Sequence, residues 1–292
     1  MSRFAYVNGR YIRHADAAIH IEDRGYQFAD GVYEVCEVRS GRLIDEERHM
    51  ARLERSLAEL RIDLPMPLSA LGVVLREVVR RNMVRDGLVY LQVTRGVAPR
   101  NHLFPAPGTP SSLVVTSRSA SRSASDARAE KGVAVITVPE NRWDRVDIKT
   151  VGLLPNVLAK QAAKEAGAYE AWFVDADGNV TEGSSTNAWI VTKDGVIVTR
   201  PAESGILRGI TRSVILDLAA ADGLNVEERA FSLEEAKTAR EAFITAATTL
   251  VMPVVQIDGA PVANGAPGIV ATQLRQRFHD FAAQAPIWSR GR

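Results

Sequence analysis

The sequence has almost no cysteine. Among 292 residues it contains one, Cys36, which lies in the apolar run 35–38. A single thiol excludes an intramolecular disulfide and gives no indication of an oxidising compartment. We therefore interpret Cys36 as a small buried hydrophobic residue.

Long hydrophobic runs are also missing. The most apolar later run, 246–255, contains a proline and is too short to cross a bilayer. Arg3 and Arg10 lie near the N-terminus, but no apolar core of signal-peptide length accompanies them. We expect no membrane association, and we expect the cytoplasm as the location.

Neither sign of charge is in excess. The 36 basic and 35 acidic residues give a formal net charge of +1, and 46% of the residues are hydrophobic. This balance is typical of a globular protein, and it provides no strong field that would attract nucleic acid or an anionic membrane. Small molecules are therefore the expected partners, without nucleic acid.

The motifs of several cofactor classes are absent as well. The Cys, His, Asp and Glu residues show no zinc-ligand spacing. A Gly-rich phosphate loop with Lys-Ser/Thr does not occur, and no dinucleotide fingerprint follows a predicted strand. We therefore predict neither a bound metal nor a bound nucleotide.

Hydrophobic periodicity predicts strands and helices in both halves of the chain. The predicted strands are 4–7, 10–12, 18–22, 32–38, 88–95, 113–117, 133–138, 171–175, 188–192, 196–199, 242–246 and 252–257. The predicted helices are 46–62, 69–83, 156–166, 209–221, a short helix after Ser232, and 268–284. We interpret 23–31 as a shaped loop. The pattern predicts an α+β fold with mostly antiparallel or mixed sheets.

One segment is typical of a linker between domains. Residues 118–130 consist mainly of Ser, Ala and Arg and show no apolar periodicity. We therefore predict an N-terminal α+β domain over 1–120 and a C-terminal domain over 121–292, joined by a linker at about 118–131.

Lysine is rare, and one lysine suggests chemistry. Only six of the 36 basic residues are lysines, so arginine is the usual cation, and Lys149 lies alone in the polar segment 142–150. An amine can form a Schiff base, whereas a guanidinium keeps its proton near neutral pH. The alternative is an ordinary surface lysine after a strand.

Other residues are suited to binding an anion or a cation. Gly209-Ile-Thr211 opens a predicted helix, where backbone N–H groups attract anions. Thr245–Thr249 follows a strand and offers further hydroxyls. Glu182, in Thr181–Asn187, provides a carboxylate that could pair with a protonated ring nitrogen. A simple helix cap and a solvated turn are the alternatives.

Arg100 and His102 lie two positions apart in the Pro-containing loop 96–105. In extended backbone they would point the same way, and an arginine fork beside an imidazole suits a substrate carboxylate. The alternative is an exposed basic loop. A candidate Schiff-base lysine, an acidic partner, anion-binding turns and a carboxylate trap are together what a pyridoxal phosphate enzyme needs.

These motifs, in this order, resemble one known family over nearly the whole chain. They are Asp23–Glu34, Gln92–Gly96, Pro99–His102, Asp147–Lys149, Val157–Gln161, Val180–Asn187 and Gly209–Arg212. The chain is similar to D-amino acid aminotransferases of the fold-type IV, or branched-chain-aminotransferase-like, class of pyridoxal phosphate enzymes. The resemblance implies a two-domain fold with the cofactor at the domain interface.

The resemblance also implies roles for the cofactor-binding residues. Lys149 would bond covalently to pyridoxal 5'-phosphate and later carry a proton, and Glu182 would pair with the pyridine nitrogen. The remaining implied cofactor-binding residues are Arg52, Ile210 and Thr211 at the phosphate and Leu207 against the ring. The family's phosphate-binding threonine corresponds to Ala247 here, so we expect Thr248 to replace it or one hydroxyl to be lost.

The substrate-binding residues implied by the resemblance are Tyr33, Arg100 and His102. In the family's homodimer, the last two reach over from the neighbouring subunit to grip the carboxylate. The predicted reaction moves the amino group of a D-amino acid to a 2-oxo acid, either 2-oxoglutarate or pyruvate. An (R)-selective amine transaminase, an aminodeoxychorismate lyase and a catalytically inactive binding module are the alternatives.

Overall fold

The chain divides into two compact units in a computed structural model that describes residues 3–203 and 205–285. The first unit runs to Ser121 and also takes in Ile148–Gly152. The second comprises Arg122–Asp147 and Leu153–Gln284. The predicted boundary assigned Ile148–Gly152 to the C-terminal domain, whereas the structure groups this segment with the first unit.

The first unit is built on one antiparallel sheet. Its strands are β1 (Phe4–Val7), β2 (Arg10–Arg13), β3 (Gly31–Arg39), β4 (Arg42–Leu43), β5 (Gly87–Thr94) and β6 (Ser112–Ser119), in the order β2-β1-β6-β5-β3-β4. Its helices are α1 (Arg24–Phe28), α2 (Glu46–Leu60) and α3 (Leu68–Arg81), after a 3-10 turn at His14–Asp16.

Periodicity explains the core of this unit. Met50, Leu53 and Leu57 recur on one face of α2 and are buried in the same cluster as Val32 and Cys36 of β3. Three- and four-residue spacing places side chains on one helix face, and that face packs on the sheet. The predicted helices 46–62 and 69–83 are thereby confirmed.

The second unit contains a mixed sheet. Its strands are β7 (Val133–Pro139), β8 (Glu170–Val174), β9 (Val180–Gly183), β10 (Asn187–Val191), β11 (Ile197–Thr199), β12 (Val226–Glu228), β13 (Glu241–Ala246), β14 (Leu250–Ile257) and β15 (Ala260–Pro261). The order is β12-β11-β10-β13-β14-β7-β8-β9, with β15 beside β14. Its helices are α4 (Arg122–Lys131), α5 (Leu154–Glu165), α6 (Ile210–Ala221), α7 (Leu233–Thr238) and α8 (Ile269–Ala283).

Local sequence features determine where several of these helices and hairpins begin or end. Ser232 caps α7 by accepting a hydrogen bond from the N–H of Glu235 at 3.0 Å, which confirms the predicted capping. Gly167, which follows α5, has a φ of 71°, a value that favours glycine after a helix. In the first unit, Asn8 and Gly9 have φ values of 43° and 93°, as the hairpin turn requires.

Three local predictions were wrong. Residues 18–22 form no strand: Ile19 and Ile21 are 42% and 75% exposed, so their alternation has no sheet to pack against. The predicted loop 23–31 contains the short helix α1. The predicted linker contains α4, in which Asp126 is anchored by Arg275 at 2.7 Å. Ala and Arg favour helix even without an apolar stripe.

The architecture confirms the α+β class, with one antiparallel and one mixed sheet. The pairing of the strands in the second unit shows that its sheet is mixed. β7 pairs with β8 and β14 in parallel, whereas β13 and β14 are antiparallel. In the part of the chain that the structure describes, no helix has the length and hydropathy of a membrane span. Nor do those residues contain a cluster of His, Cys, Asp and Glu suited to a metal ion.

Candidate active site

The predicted site residues fall into two groups, one in each unit. The first unit contains Tyr33, Arg52, Arg100, His102 and Lys149, and the second contains Glu182, Leu207, Ile210, Thr211 and Thr248.

Backbone pairing holds Lys149 beside the start of β3. The N–H of Tyr33 donates to the carbonyl of Lys149 at 3.0 Å, and the N–H of Val151 donates to that of Gly31 at 3.0 Å. Val32 and Thr150 form an antiparallel bridge between these two bonds. The segment around Lys149 therefore lies against the sheet rather than in a free loop.

The Lys149 side chain contacts an aromatic ring. Its amine lies 4.2 Å from the centroid of Tyr33, and the residue is half-buried. Among the described residues of its unit, no carboxylate forms an ion pair with this amine. A lysine without a carboxylate partner keeps its nitrogen available for bonding to a carbonyl carbon, so the structure brings together two of the predicted residues in a suitable arrangement.

Arg52 is held by a buried carboxylate that the sequence did not reveal. Its Nε and Nη2 donate to the two oxygens of Glu34 at 2.7 and 2.8 Å. His49 Nδ1 contacts Glu34 Oε2 at 2.7 Å. Burial alone would raise the pKa of Glu34, but Arg52 overcomes this effect and holds that pKa far below its ordinary value. Arg52 is thus a rigidly placed cation.

Arg100 and His102 share one aromatic neighbour. The guanidinium carbon of Arg100 lies 4.7 Å from the centroid of Phe28, and the rings of Phe28 and His102 are 5.4 Å apart. The backbone at these positions is irregular rather than strand-like. The structure nevertheless brings the two predicted carboxylate-binding side chains to the same ring.

In the second unit, Glu182 is the centre of a buried polar cluster. Arg142 Nη1 donates to Glu182 Oε1 at 2.5 Å, and Arg142 also donates to Glu140 from Nε at 2.8 Å and from Nη2 at 2.6 Å. Thr181 Oγ1 donates to Glu140 Oε2 at 2.7 Å. Arg142 therefore bridges two carboxylates, one of which is the predicted partner of a ring nitrogen.

Burial raises the pKa of the Glu182 carboxyl, and Arg142 and the N–H of Leu207 only partly offset this effect. The Leu207 N–H lies 3.2 Å from each carboxylate oxygen, so Glu182 and Leu207 are directly joined. A carboxyl with a raised pKa still gains from one more positive neighbour. This environment suits a protonated ring nitrogen.

Asn187 links Glu182 to the segment that enters α6. Its amide donates to Glu182 Oε2 and to the carbonyl of Leu207, both at 2.9 Å. A Cβ at Gly209 would lie 2.0 Å from Asn187 Oδ1, so this position requires glycine. Asn187 belongs to the motif Val180–Asn187, but no role was predicted for it.

The start of α6 offers backbone donors. Ile210 is its first residue, Gly209 precedes it without a side-chain cap, and Thr211 is 3% exposed. Uncapped N–H groups at the positive end of a helix attract a phosphate. Thr248 is exposed at the turn between β13 and β14, whereas the Thr249 hydroxyl is buried and has no partner among the described residues.

The residues present fit pyridoxal phosphate. In the first unit, the amine of Lys149 suits its aldehyde and the cation of Arg52 suits a phosphate. In the second unit, the uncapped start of α6 suits a phosphate and the buried carboxylate of Glu182 suits a protonated ring nitrogen. Sequence reasoning missed Glu34, His49 and Arg142, because their partners are distant in the chain.

Comparison with known proteins agrees with this chemistry. A model of the amino-transferase class IV family matches residues 31–257. The chain is 46% identical to the D-alanine aminotransferase of Bacillus licheniformis over 261 residues, which cover 89% of this chain and 90% of that protein. It is 39% identical to the D-alanine aminotransferase of Staphylococcus epidermidis over 277 residues, covering 94% and 96%.

Solved structures show the same fold. A branched-chain amino acid aminotransferase of Escherichia coli superposes with a TM-score of 0.90 at 25% identity, covering 98% of this chain and 97% of that one. A second branched-chain amino acid aminotransferase, from T.th. and solved with pyridoxamine 5'-phosphate, superposes with a TM-score of 0.89 at 26% identity, covering 98% and 96%.

Proposed function

Because the chain belongs to the class IV aminotransferase family, we propose that it moves the amino group of a D-amino acid, such as D-alanine, to a 2-oxo acid. The proposed acceptors are 2-oxoglutarate and pyruvate. The observation that carries this proposal is the similarity to D-alanine aminotransferases over most of both chains. The amine of Lys149 and the buried Glu182 supply the two groups that this chemistry requires.

The cofactor is pyridoxal phosphate, in keeping with the family and with its solved members. When bound, it supplies an aldehyde that reacts with amines and a ring that accepts the electron pair of the Cα–H bond. We assign Arg52, Thr248 and the N–H groups of Ile210 and Thr211 to the phosphate, and Leu207 to the ring.

Lys149 has two tasks in this proposal. Its amine would hold the cofactor in the resting enzyme, and in the substrate complex Nζ would take up and give back the proton at the substrate Cα. The Tyr33 ring, 4.2 Å from Nζ, limits where the amine can lie. The carbonyl of Lys149 itself and the N–H of Val151 pair with β3, which fixes the backbone from which the lysine acts.

Glu182 keeps a proton on the ring nitrogen. Its carboxylate accepts hydrogen bonds from Arg142, Asn187 and the N–H of Leu207, so it has a fixed position. Because it is buried, its interaction with a positive ring nitrogen is weakly screened. Arg142 offsets part of the burial effect and so favours the ionised form of Glu182.

Substrate binding uses Tyr33, Arg100 and His102. The guanidinium of Arg100 binds the carboxylate through two parallel hydrogen bonds, and His102 adds a third donor. Arg100 is exposed and forms no ion pair among the described residues, so its charge is available to a substrate. In this assignment, the position of the bound carboxylate determines on which side of the amino acid the Cα proton lies. The carboxylate trap thereby determines the preference for the D configuration.

We propose a homodimer in which Arg100 and His102 serve the neighbouring subunit. Large apolar side chains in the first unit are exposed, including Ile21 at 75%, Tyr26 at 73% and Leu103 at 75%. Where exposed apolar side chains form a contiguous patch, they mark a surface that another protein covers. Size measurement in solution would test this, as would mixing Lys149→Ala, which lacks the amine, with Arg100→Ala, which should bind D-alanine weakly, at a low concentration of D-alanine. Partial recovery of activity on mixing requires shared sites.

The reaction balances as two half-reactions. The donor leaves its amino group, its Cα proton and the electron pair of the Cα–H bond with the enzyme, takes oxygen from one water molecule and departs as a 2-oxo acid. The second 2-oxo acid then takes the amino group, a proton and the electron pair at Cα, gives up its oxygen as water and departs as a D-amino acid. With D-alanine and 2-oxoglutarate, the products are pyruvate and D-glutamate.

A substrate panel tests the proposal. Purified enzyme with the cofactor is given D- and L-amino acids in turn with 2-oxoglutarate, and the new amino acid is measured. We expect turnover of D-alanine and little turnover of L-alanine. Faster turnover of 1-phenylethylamine than of D-alanine would instead indicate an amine transaminase, and pyruvate release from aminodeoxychorismate without amino transfer would indicate a lyase.

The role of Arg100 has a separate test. Arg100→Ala should raise KM for D-alanine, because the substrate carboxylate loses its bidentate partner. Unchanged turnover of D-alanine by this variant would contradict the assignment of the trap. The cytoplasmic location remains a prediction from composition, which cell fractionation would test.

A further inference from the structure

We infer that Phe28 and Arg24, at the two ends of α1, position the loop that presents Arg100 and His102 to the substrate carboxylate. The motif 23–34 contains both residues, and the proposed roles of Tyr33, Arg52 and Lys149 leave them unexplained. They are positioning residues, since neither is assigned a contact with the substrate. This inference depends on the proposed function of Arg100.

The helix α1 is itself firmly anchored. Asp23 caps it by accepting the N–H of Gly25 at 2.9 Å, and the Thr94 hydroxyl donates to the other oxygen of Asp23 at 3.0 Å. The N–H of Arg24 donates to the carbonyl of Gly96 at 2.9 Å. A Cβ at Gly25 would lie 2.2 Å from Thr94 Cγ2, so the helix lies directly against the end of β5.

Arg24 joins this anchored helix to the backbone of the loop. Its side chain is 4% exposed, its Nε donates to Asp30 at 2.8 Å, and its Nη1 donates to the carbonyl of Asn101 at 2.6 Å. Asn101 is the residue between Arg100 and His102. One buried guanidinium therefore holds the backbone at the centre of the proposed carboxylate trap.

Asp30 makes Arg24 rigid. Arg95 also donates to Asp30, from Nε at 2.8 Å and from Nη2 at 2.9 Å. Burial would raise the pKa of Asp30, but its hydrogen bonds with Arg95 and Arg24 lower it below the ordinary value. The carboxylate thus stays ionised and holds two arginines at the base of the loop.

Phe28 supplies a common platform for the side chains. Its ring centroid lies 4.8 Å from the Arg24 guanidinium carbon and 4.7 Å from that of Arg100, and its ring lies 5.4 Å from His102. Cations prefer the face of an aromatic ring. The ring therefore restricts Arg100 without using the N–H groups that would bind a carboxylate.

The farther part of the loop has a similar contact. Phe104 lies 3.8 Å from the guanidinium carbon of Arg95 and 4.7 Å from that of Arg61. An irregular loop would otherwise lose conformational entropy each time the substrate binds. Contacts on both sides of Arg100 and His102 reduce that loss beforehand, so they should lower KM rather than raise kcat.

Phe28→Leu tests this inference in the full enzyme with its cofactor bound. The substitution keeps an apolar side chain of similar size and removes the ring. The matched control is Tyr11→Leu, which removes a ring 4.3 Å from the Arg81 guanidinium carbon in the same unit, away from the loop. Phe28→Tyr keeps the ring and should restore the behaviour of the unmodified enzyme. Arg24→Gln removes the charged hydrogen bond to Asn101.

We expect Phe28→Leu to raise KM for D-alanine roughly 3- to 10-fold, because a cation–π contact at a partly exposed site is weak but favourable. The kcat and the affinity for pyridoxal phosphate, measured by absorbance titration, should stay close to those of the unmodified enzyme. Amide hydrogen exchange in residues 97–103 should become faster in Phe28→Leu and Arg24→Gln but not in Tyr11→Leu.

The results separate this inference from the proposed function. If Arg100→Ala raises KM while Phe28→Leu changes neither KM nor exchange in the loop, the positioning role is wrong and the carboxylate trap stands. If Arg100→Ala leaves KM unchanged, both the trap and the positioning role fail. Equal changes in Tyr11→Leu and Phe28→Leu would also overturn the inference, since they would show a general loss of stability.

Discussion

Replacement of Arg142 by methionine should expose how strongly the Glu182 cluster depends on one cation. Arg142 bonds to both Glu182 and Glu140, and its side chain is 5% exposed. Methionine preserves much of the apolar stem but leaves the buried Glu182 carboxylate without its charged partner. Removing one partner of a buried ion pair costs about 3–5 kcal/mol, so we expect a loss of that size in the free energy of unfolding.

The loss should depend on pH, and the sign follows from both carboxyls. The pKa of Glu182 is raised in the folded state, so its ionisation destabilises the fold as pH rises through that pKa, and more so without Arg142. Burial would raise the pKa of Glu140, but the side-chain hydrogen bond from Arg142 lowers it below its ordinary value. The ionised Glu140 therefore stabilises the fold at a pH above its unfolded pKa, and this stabilisation disappears in acid. Both effects make Arg142→Met more harmful at neutral than at mildly acidic pH.

Urea unfolding of the cofactor-free enzyme measures this. Trp172 and Trp189 are fully buried in the second unit, so their fluorescence reports its unfolding. With an m-value of about 2 kcal/mol/M, the midpoint should fall by roughly 1.5–2.5 M. Arg142→Met/Glu182→Gln should recover part of the loss, because glutamine carries no charge to leave unpaired.

Arg200→Met is the matched control for Arg142→Met. Arg200 pairs with Asp175 at 2.8 Å, but both side chains are 20–25% exposed, and such pairs contribute about 1 kcal/mol or less. Equal losses in the two arginine variants, or a loss in Arg142→Met that does not change with pH, would refute the reasoning.

Three further predictions concern the turns and the thiol. Thr248→Val should raise the dissociation constant of pyridoxal phosphate about 2- to 10-fold, as expected for the loss of one neutral hydrogen bond. Thr249→Val should leave this constant unchanged, since the Thr249 hydroxyl is buried without a partner among the described residues. Absorbance titration of the two variants with the cofactor compares them. Gly209→Ala should weaken cofactor binding more than Gly205→Ala. A Cβ at position 209 would lie 2.0 Å from Asn187 Oδ1, whereas a Cβ at position 205 would lie 3.5 Å from Arg200 Nε. Equal affinities of the two variants for the cofactor would contradict this. Burial raises the pKa of the Cys36 thiol, so it should react with a thiol reagent only after unfolding, and rapid reaction of the native protein would show that the strand β3 opens.

Periodicity in the sequence was sufficient to predict an element where residues close together in the chain determine its structure. Met50, Leu53 and Leu57 predicted α2, and Ser232 with Glu235 predicted the start of α7. The same reasoning failed at 18–22, because alternation predicts a strand only if a partner strand is present. It also failed at α4, where Asp126 contacts Arg275, a residue 149 positions further along the chain.

The site shows the same limit. Lys149, Glu182 and Arg100 were proposed from the chemistry of their side chains and from a family resemblance that the comparisons confirm. The residues that hold them are joined by long-range contacts: Glu34 bonds to Arg52 across 18 positions, Arg142 to Glu182 across 40, and Arg24 to Asn101 across 77. No local pattern encodes such pairs. The individual roles of the site residues remain predictions.

The central claim is that Lys149 and the bound cofactor remove the amino group from a D-amino acid. The most direct measurement is one half-reaction: the enzyme with pyridoxal phosphate is mixed with D-alanine in the absence of any 2-oxo acid, and the pyruvate released is measured. We predict about one pyruvate per subunit from D-alanine, none from L-alanine, and none from D-alanine with Lys149→Ala. Pyruvate from L-alanine in equal amount, or from the Lys149→Ala variant, would contradict the claim.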